Sequence, residues 1–334
     1  MTKRLTLRDI AEAAGVSEMT ASRALRNAGD VSDRTRKRVK EAADQLGYVR
    51  NKIAGSLASS KVDLVGVVIP SVKSYVFSEV LDGISSVLAD TNLRPVFGLT
   101  NYDLKTEEDV INEMLSWRPS GLIIAGLEHT DTAARMLHAT DTPVIEIMDT
   151  DGTAIDACVG ISHYQAGYDM ADTILQKGYR NIGFIGTKME SDFRATKRLN
   201  GFRDRLEQDE ISLIDQKLYS SGSSIENGKR YTDALIRQNP NMDCIYCSND
   251  VSAVGALMYC IENKLSVPDD LALVGFNNLN LLDGLPVNLA TMDSMRFEIG
   301  RRAAQIVIDR NATPPLSPPR VQQLSPKIIT GNSL

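Results

Sequence analysis

Two hydrophobic periodicities divide the chain. Between residues 5 and 47 apolar residues recur at three- and four-residue spacing; from residue 62 onward short apolar runs alternate with amphipathic stretches. In the first segment Leu7, Ile10, Ala11 and Ala14 form one helical stripe, with Thr6 as cap and Asp9 placed three residues later as in a capping box. Gly15-Val16 turns the chain and Ser17 caps a second helix, in which Ala21, Ala24 and Leu25 share one face. The opposite face carries Glu18, Met19, Ser22, Arg23 and Arg26. Ser32 opens a third helix with Val39, Ala42, Ala43 and Leu46 as its stripe, and Gly47 stands where a C′ glycine is expected. Two helices around a glycine turn, braced by a third, predict a helix-turn-helix. A plain three-helix bundle is the alternative, and the polar, basic face left on the second helix argues against it.

The second segment predicts strands over 62–69, 95–99, 121–125 and 143–147, with helices over 77–89 and near 106–117 and 130–139. A further series follows: helix 164–177, strand 182–185, helices 196–208 and 224–238, strand 244–246, helix 251–263 and strand 271–274. Strands apolar on both faces that alternate with helices imply parallel sheets covered on both sides. Two such series, near 62–161 and 162–290, predict two Rossmann-like lobes. Helix 294–309 and the tail 320–330 complete one lobe each, and the proline-dense stretch 313–319 reads as the last crossing between them. The expected division is a head over 1–48, a hinge over 49–61 and a body over 62–334. Lobe one takes about 62–161 and 292–318; lobe two takes about 162–291 and 319–334.

Composition changes this picture little, and charge changes it a good deal. With 334 residues, 43% of them hydrophobic and 24% charged, the chain falls outside collagen-like and disordered classes. No apolar run has the length of a membrane span, the N-terminus lacks a signal-peptide core, and four cysteines make no disulfide framework; a cytoplasmic protein is expected. The formal net charge is −6, which taken alone argues against an anionic polymer as partner. Yet residues 1–61 hold 13 Lys/Arg against 7 Asp/Glu, a net of +6, while the other 273 residues carry a net of −12. A basic head on an acidic body predicts two jobs in one chain.

The segments 7–17, Thr20-Ala21-Ser22-Arg23, Leu46-Gly47-Tyr48 and Asn51-Lys52-Ile53-Ala54 closely resemble the LacI/GalR transcription-factor family. The resemblance implies an N-terminal all-α helix-turn-helix head with a hinge helix. The body it implies is an α/β two-lobed, periplasmic-binding-protein-like unit with parallel Rossmann-like sheets. In that family paired hinge helices form on operator DNA and push leucines into the minor groove; the matching wedge is Leu57, with Ala54 beside it. From the residues alone, 51–60 reads as a flexible linker, too short for a stable helix in water. The positions matching the family's base readers are Glu18, Met19 and Arg23: Arg bonds guanine bidentately, Met packs on a thymine methyl and Glu accepts from a cytosine amino group. Glu18 reads equally well as a helix-dipole partner. Thr6, Ser17, Thr20, Ser22 and Asn27 are candidates for phosphate contacts. Arg50 stands before the hinge Asn51 where the family often has Pro, replacing a stiff entry with a phosphate-seeking charge.

For the body, the resemblance implies a ligand between the lobes, at the carboxyl ends of the strands. Asn249 matches an effector-contacting Asn; it could instead cap the following helix, a task this reading gives to Asp250. Arg198, in Arg198-Leu199-Asn200-Gly201-Phe202, matches an Arg that clamps ligand hydroxyls or carboxylates. Asn277 stands where many relatives carry Asp, and Arg296 matches a ligand-facing position. Surface or lobe–lobe polar contacts are the alternative for all four. Ser71, Tyr75, Phe77, His129, Glu146, Asp149 and Arg194 are further lobe-edge candidates. Two or three arginines and no second-lobe Asp favour an anionic effector, because arginine forks match carboxylates and phosphates. Segments 114–124 and 143–149 also resemble gluconate-operon repressors of the family, so a sugar acid such as gluconate is the favoured effector.

Other chemistry is set aside. Cys244 and Cys247 have redox or half-zinc spacing, but a strand aims them to opposite faces and no second pair exists. Gly183-Phe184-Ile185-Gly186 lacks a phosphate loop, and no Gly-x-Ser-x-Gly elbow is present. The expectation is a non-enzyme without metal or cofactor: a homodimeric, ligand-released repressor on a pseudo-palindromic operator. A co-repressor-dependent regulator or activator responding to a neutral or phosphorylated sugar, and more remotely a sugar-binding transport protein, stay open.

Overall fold

A computed structural model describes residues 5–26, 29–49, 62–187, 192–220, 222–312, 314, 316 and 320–334. The chain divides into two compact units, Met1–Val62 and Asp63–Leu334.

The first unit holds α1 (Leu7–Ala14), α2 (Glu18–Leu25) and α3 (Asp33–Leu46). Each helix begins where the sequence places a cap. Thr6 and Asp9 form the reciprocal capping box, the Ser17 hydroxyl accepts from Thr20 N at 3.1 Å, and Ser32 accepts from Thr35 N at 3.3 Å. Gly15 and Gly47 end α1 and α3 in the left-handed region, at φ 62° and 68°. Ile10, Ala11, Ala14, Ala21, Ala24, Val39, Ala42 and Ala43 close a core small enough to let three short helices cross tightly. Leu46 departs from its expected place: it is 42% exposed, and Tyr48 packs against that core past the Gly47 turn.

The second unit has two parallel sheets. The six-stranded sheet runs β11-β5-β4-β3-β1-β2 and the four-stranded sheet β7-β6-β8-β9. Their strands are β1 (Val62–Ile69), β2 (Arg94–Leu99), β3 (Pro119–Ala125), β4 (Val144–Asp149), β5 (Ala157–Ile161) and β11 (Val321–Gln323), then β6 (Ile182–Thr187), β7 (Asp215–Tyr219), β8 (Cys244–Cys247) and β9 (Ala272–Val274). The helices between them are α4 (Tyr75–Leu88), α5 (Leu104–Ser116), α6 (Asp131–Ala139), α7 (His163–Gln176), α8 (Phe193–Gln208), α9 (Ile225–Gln238), α10 (Asp250–Glu262) and α11 (Arg296–Asn311). A short antiparallel pair, β10 (Thr291–Asp293) with β12 (Lys327–Ile329), lies beside the second sheet, where bridges join Val274 to Ala290 and Asn277 to Asp293. One apolar cluster is continuous through both lobes, from Val65 and Ile147 through Met170 and Phe202 to Val274.

Five of the twelve described strands escape the hydrophobic pattern, and three of them, β10, β11 and β12, are only three residues long. β5 is short and glycine-containing, and β7 is a half-exposed, polar edge strand. The expected lobe boundary also needs correction. Residues 321–323 belong to the first sheet, pairing Val321 with Cys158 through Gln323 with Gly160. Only the segment from β12 onward joins lobe two, where Ser333 Oγ donates to Leu273 O at 2.6 Å. The last crossing therefore follows β11 instead of coinciding with the proline stretch, because β5 takes β11 as its outer neighbour.

Helices α4 and α11 pack together, as do α7 with α8 and α9 with α10. Each pair meets at reciprocal glycines. A Cβ on Gly300 would lie 2.0 Å from Val80 O and one on Gly83 2.1 Å from Phe297 O; Gly167 and Gly201, then Gly228 and Gly255, repeat the arrangement. Both partners are backbone and cannot yield as a side chain would. Gly300→Ala should therefore lower the thermal midpoint of the body by roughly 5 °C or more, given a cost of about 1–3 kcal/mol for overpacking a tight core. Differential scanning calorimetry checks this; an unchanged midpoint would show that the pair slides apart freely.

Candidate functional site

In the helical unit, α2 presents the side chains that the sequence singles out. Met19 is 71% exposed, and Glu18 and Arg23 are exposed beside it. Arg23 forms an ion pair with Asp30. The hydroxyls assigned to phosphates are partly committed: Thr6 bonds Asp9, and Ser17 shares a hydrogen bond of 2.9 Å with Thr20. Ser22 is half-buried on the same helix. Asn27, Arg50, Asn51, Ala54 and Leu57, and with them nearly all of the expected hinge, lie outside the described residues.

In the body, the carboxyl ends of the strands from both lobes face a cavity of about 510 Å³. Lobe one contributes Ser71, Lys73, Ser74, Tyr75 and Val76, which follow β1 and open α4, together with Tyr102 after β2. Lobe two contributes Thr187 from β6, Asp192, Tyr219 from β7, Asn249, and Asn277 and Leu279 beyond β9. The described lining thus combines hydroxyls, phenols, amides, one lysine and one aspartate with the apolar Val76, Val251 and Leu279. Burial raises the Tyr102 and Tyr219 phenols above their ordinary value, so both stay protonated and able to donate.

Of the residues expected there, Ser71, Tyr75, Asn249 and Asn277 line the cavity. Asn249, not Asp250, caps α10: its Oδ1 accepts from Ser252 N at 3.0 Å and its Nδ2 donates to Tyr219 Oη at 2.7 Å. Asp250 is buried one residue further on, accepting from Thr291 Oγ1 at 2.6 Å and Leu279 N at 2.8 Å. Burial pushes its carboxyl up to about 6 against those bonds.

The other candidates do not line the cavity, and each has a physical reason. Phe77 points into the apolar core, 1% exposed. Arg198 is enclosed: Nη1 donates to His163 Nδ1 at 2.8 Å, Nη2 to Ser248 O at 3.3 Å, and the guanidinium lies 4.2 Å from the Phe276 ring centre. Burial and the charge of Arg198 hold His163 well below its usual value, so its neutral ring accepts from Arg198 at Nδ1 and donates to Met148 O from Nε2. Arg198 therefore braces the residues just before Asn249 and Asn277. Arg296 is also buried, donating to Glu79 at 2.6 Å, Asn278 O at 3.0 Å and Ser294 at 3.1 Å. Asp149 bonds Lys197 at 2.6 Å, and the same ammonium reaches Glu128 at 2.6 Å, which ties α8 of lobe two to lobe one. Arg194 lines a separate small cavity with Tyr102, Gly126 and Glu128. His129 sits between Glu107 at 2.6 Å and Glu146 at 3.1 Å, inside lobe one.

Lys73, Tyr102, Asp192 and Tyr219 are cavity residues that the sequence reading did not single out. Tyr219 was findable: it ends β7, and a ligand site at strand carboxyl ends follows once that strand is recognised.

Comparison with known proteins agrees with this layout. The model for bacterial regulatory proteins of the lacI family matches residues 6–51, and the periplasmic binding protein-like domain model matches 171–334. The chain is 33% identical to the HTH-type transcriptional regulator IdnR of Escherichia coli over 92% of each chain. The chain belongs to the LacI family of bacterial regulators. It is 36% identical to the HTH-type transcriptional regulator GntR of Pseudomonas aeruginosa, over 91% of this chain and 88% of that one. A crystal structure of a LacI-family transcriptional regulator from Silicibacter pomeroyi, 54% identical, superposes with a TM-score of 0.95 over 98% of this chain and 99% of that one. This LacI-family member is therefore a DNA-binding transcriptional regulator and not an enzyme, with a head for DNA and a two-lobed sensing body. Among the described residues no helix is long and apolar enough to cross a membrane, and no cluster of His, Cys, Asp and Glu could hold a metal. Cys158, Cys244, Cys247 and Cys260 are all buried and unbridged.

The enclosed His129 yields a stability prediction. Burial opposes its charge, but hydrogen bonds to Glu107 and Glu146 outweigh that and push it up to about 9. A raised folded-state value stabilises fully below the unfolded value of about 6.5 and is lost as pH rises through about 9. Melts of the whole protein across that window should show stability falling with a slope approaching about 1.4 kcal/mol per pH unit from this group. His129→Gln should remove that slope while lowering stability at pH 6.5.

Proposed function

We propose that this LacI-family regulator is a dimeric repressor of sugar-acid catabolism genes, released from a pseudo-palindromic operator by a gluconate-like effector bound between its lobes. The observation that carries the reading is the cavity of about 510 Å³: its hydroxyl- and amide-rich wall suits a polyol, and Lys73 supplies a cation for one acid group. The buried arginines do not support it, since Arg198 and Arg296 are engaged elsewhere. The acid preference rests instead on Lys73, on an amide at position 277 where many relatives carry a carboxylate, and on the resemblance of segments 114–124 and 143–149 to gluconate-operon repressors. Relatives named IdnR and GntR agree with it.

On the DNA side, Met19 and Arg23 on the exposed face of α2 are assigned to base edges in the major groove, with Glu18 next to them. Effector and operator are coupled, so each weakens the other's binding by the same factor.

An operator-binding assay with the natural promoter region, titrated with gluconate and with neutral sugars, tests the reading. Gluconate should weaken operator binding, and release by a neutral sugar with no response to gluconate would sink the sugar-acid assignment. Operator affinity should also fall steeply with salt, since several phosphates are neutralised by each head. Arg23→Ala should cost about 1–3 kcal/mol of operator affinity, roughly 5- to 150-fold, with little change on random DNA.

A further inference from the structure

Two cations on one helix of lobe two face one carboxylate of lobe one. α8 carries Arg194 in its first turn and Lys197 three residues later, so both lie on the same side of the helix, about 4.5 Å apart along its axis. Lys197 is engaged twice: Nζ donates to Glu128 Oε1 and to Asp149 Oδ2, each at 2.6 Å. Arg194 makes no hydrogen bond or ion pair among the described residues, although a cation in the first turn opposes the helix dipole. A carboxylate is close by. Arg194 Nη1 and Glu128 Oε2 lie 3.3 and 3.8 Å from the point where a Cβ of Gly126 would stand. Gly126, at φ 115°, leaves that point empty, and a cavity of about 30 Å³ borders all three residues. The two carboxylates differ in freedom. Asp149 is fully buried, so losing Lys197 would leave its charge uncompensated. Glu128 is 26% exposed and otherwise accepts only a 3.3 Å bond from Leu127 N.

We propose that Glu128 is a two-position switch between the lobes. It pairs with Lys197 in the arrangement described, and with Arg194 once lobe two has shifted along the α8 axis by less than a turn. Lys197 keeps Asp149 in both. The exchange trades one partly exposed ion pair for another, so neither arrangement leaves a buried charge alone. The two arrangements are therefore close in free energy, and a ligand held between the lobes has only a small gap to overcome. Cations at i and i+3 give two discrete stops, the kind of bistability that turns a small displacement into a change of state. This rests on the reading that lobe arrangement controls operator binding, and adds the side chains that set its balance.

Fluorescence anisotropy of the full chain on its natural promoter fragment, without effector, tests it. Arg194→Met removes one stop and should shift operator affinity by about two- to fivefold, the scale of a partly exposed ion pair. Lys197→Met combined with Asp149→Asn removes the other stop without leaving a buried charge unpaired. It should shift the affinity by a similar factor in the opposite direction. In a Glu128→Gln background Arg194→Met should change affinity by less than about twofold, because the carboxylate it competes for is gone. A merely structural arginine, or one that simply attracts DNA, would act equally in both backgrounds. That cycle carries the test if the Lys197 and Asp149 variant fails to fold. Shifts of the same sign, shifts below about twofold, or an Arg194→Met effect that persists in the Glu128→Gln background overturn the switch. Gluconate added to the wild-type complex separates the two readings: release leaves the sugar-acid assignment standing whatever the variants do, and no release overturns that assignment alone.

Discussion

Three pairs of helices in the body meet backbone to backbone, and much of the site follows from that constraint. Wherever Gly83 faces Gly300, Gly167 faces Gly201 or Gly228 faces Gly255, a Cβ would lie within about 2.2 Å of a carbonyl oxygen of the facing helix. Glycine in a helix interior costs roughly 1 kcal/mol relative to alanine, so six of them at helix crossings mark places where proximity outweighs propensity. The proximity fixes polar geometry nearby. The α4–α11 crossing brings Glu79 within reach of Arg296, and the α7–α8 crossing sets His163 against Arg198. Widening either crossing by a methyl group would pull these bonds past their range.

Those two arginines are costly to bury, and the way each is offset shows what the lobes share. Arg296 opens α11, where the helix dipole disfavours a cation. Its compensation comes from Glu79 in lobe one, Asn278 O in lobe two and Ser294 on the crossing between them. Arg198 has a different solution, a neutral imidazole, a carbonyl and an aromatic face. Lys197 is held by two carboxylates of lobe one. Relative movement of the lobes must therefore strain or exchange charged hydrogen bonds at more than one point. A ligand that touches both lobes biases that exchange, which is the differential contact any allosteric coupling requires.

The legible part of the molecule was the part governed by local rules. Thr6, Ser17, Ser32 and Gly47 do the capping that their spacing predicts, because caps depend on neighbours three residues away. Buried strands such as β1 and β3 declared themselves by the apolar runs Leu64–Ile69 and Gly121–Ala125. Position 249 was legible and its capping was credited to the wrong neighbour: both Asn249 and Asp250 satisfy the cap rule, and only the buried bond to Thr291 reveals that Asp250 is needed elsewhere. Residues whose role depends on distant partners could not be read. His129 meets Glu107 and Glu146 across 22 and 17 residues, and Arg296 meets Glu79 across 217. An ionisable residue near a strand end looks like a ligand contact until its counter-charge is found.

The charge split between head and body also takes a more specific form. Residues 1–61 carry a net of +6, yet Arg23 is already paired with Asp30 and Arg8 with Glu12. Exposed pairs of this kind contribute about 0–1 kcal/mol, while a bidentate arginine–guanine contact discriminates by about 1–3 kcal/mol. On the proposed assignment of Arg23 to a guanine edge, exchange of Asp30 for a correct base would be favourable, while exchange for a lone phosphate, screened in salt, would gain far less. On that proposal the carboxylate would take more from non-specific than from specific binding. A head with its acidic residues removed would be more basic and bind DNA more tightly, but its preference for one sequence over another would shrink.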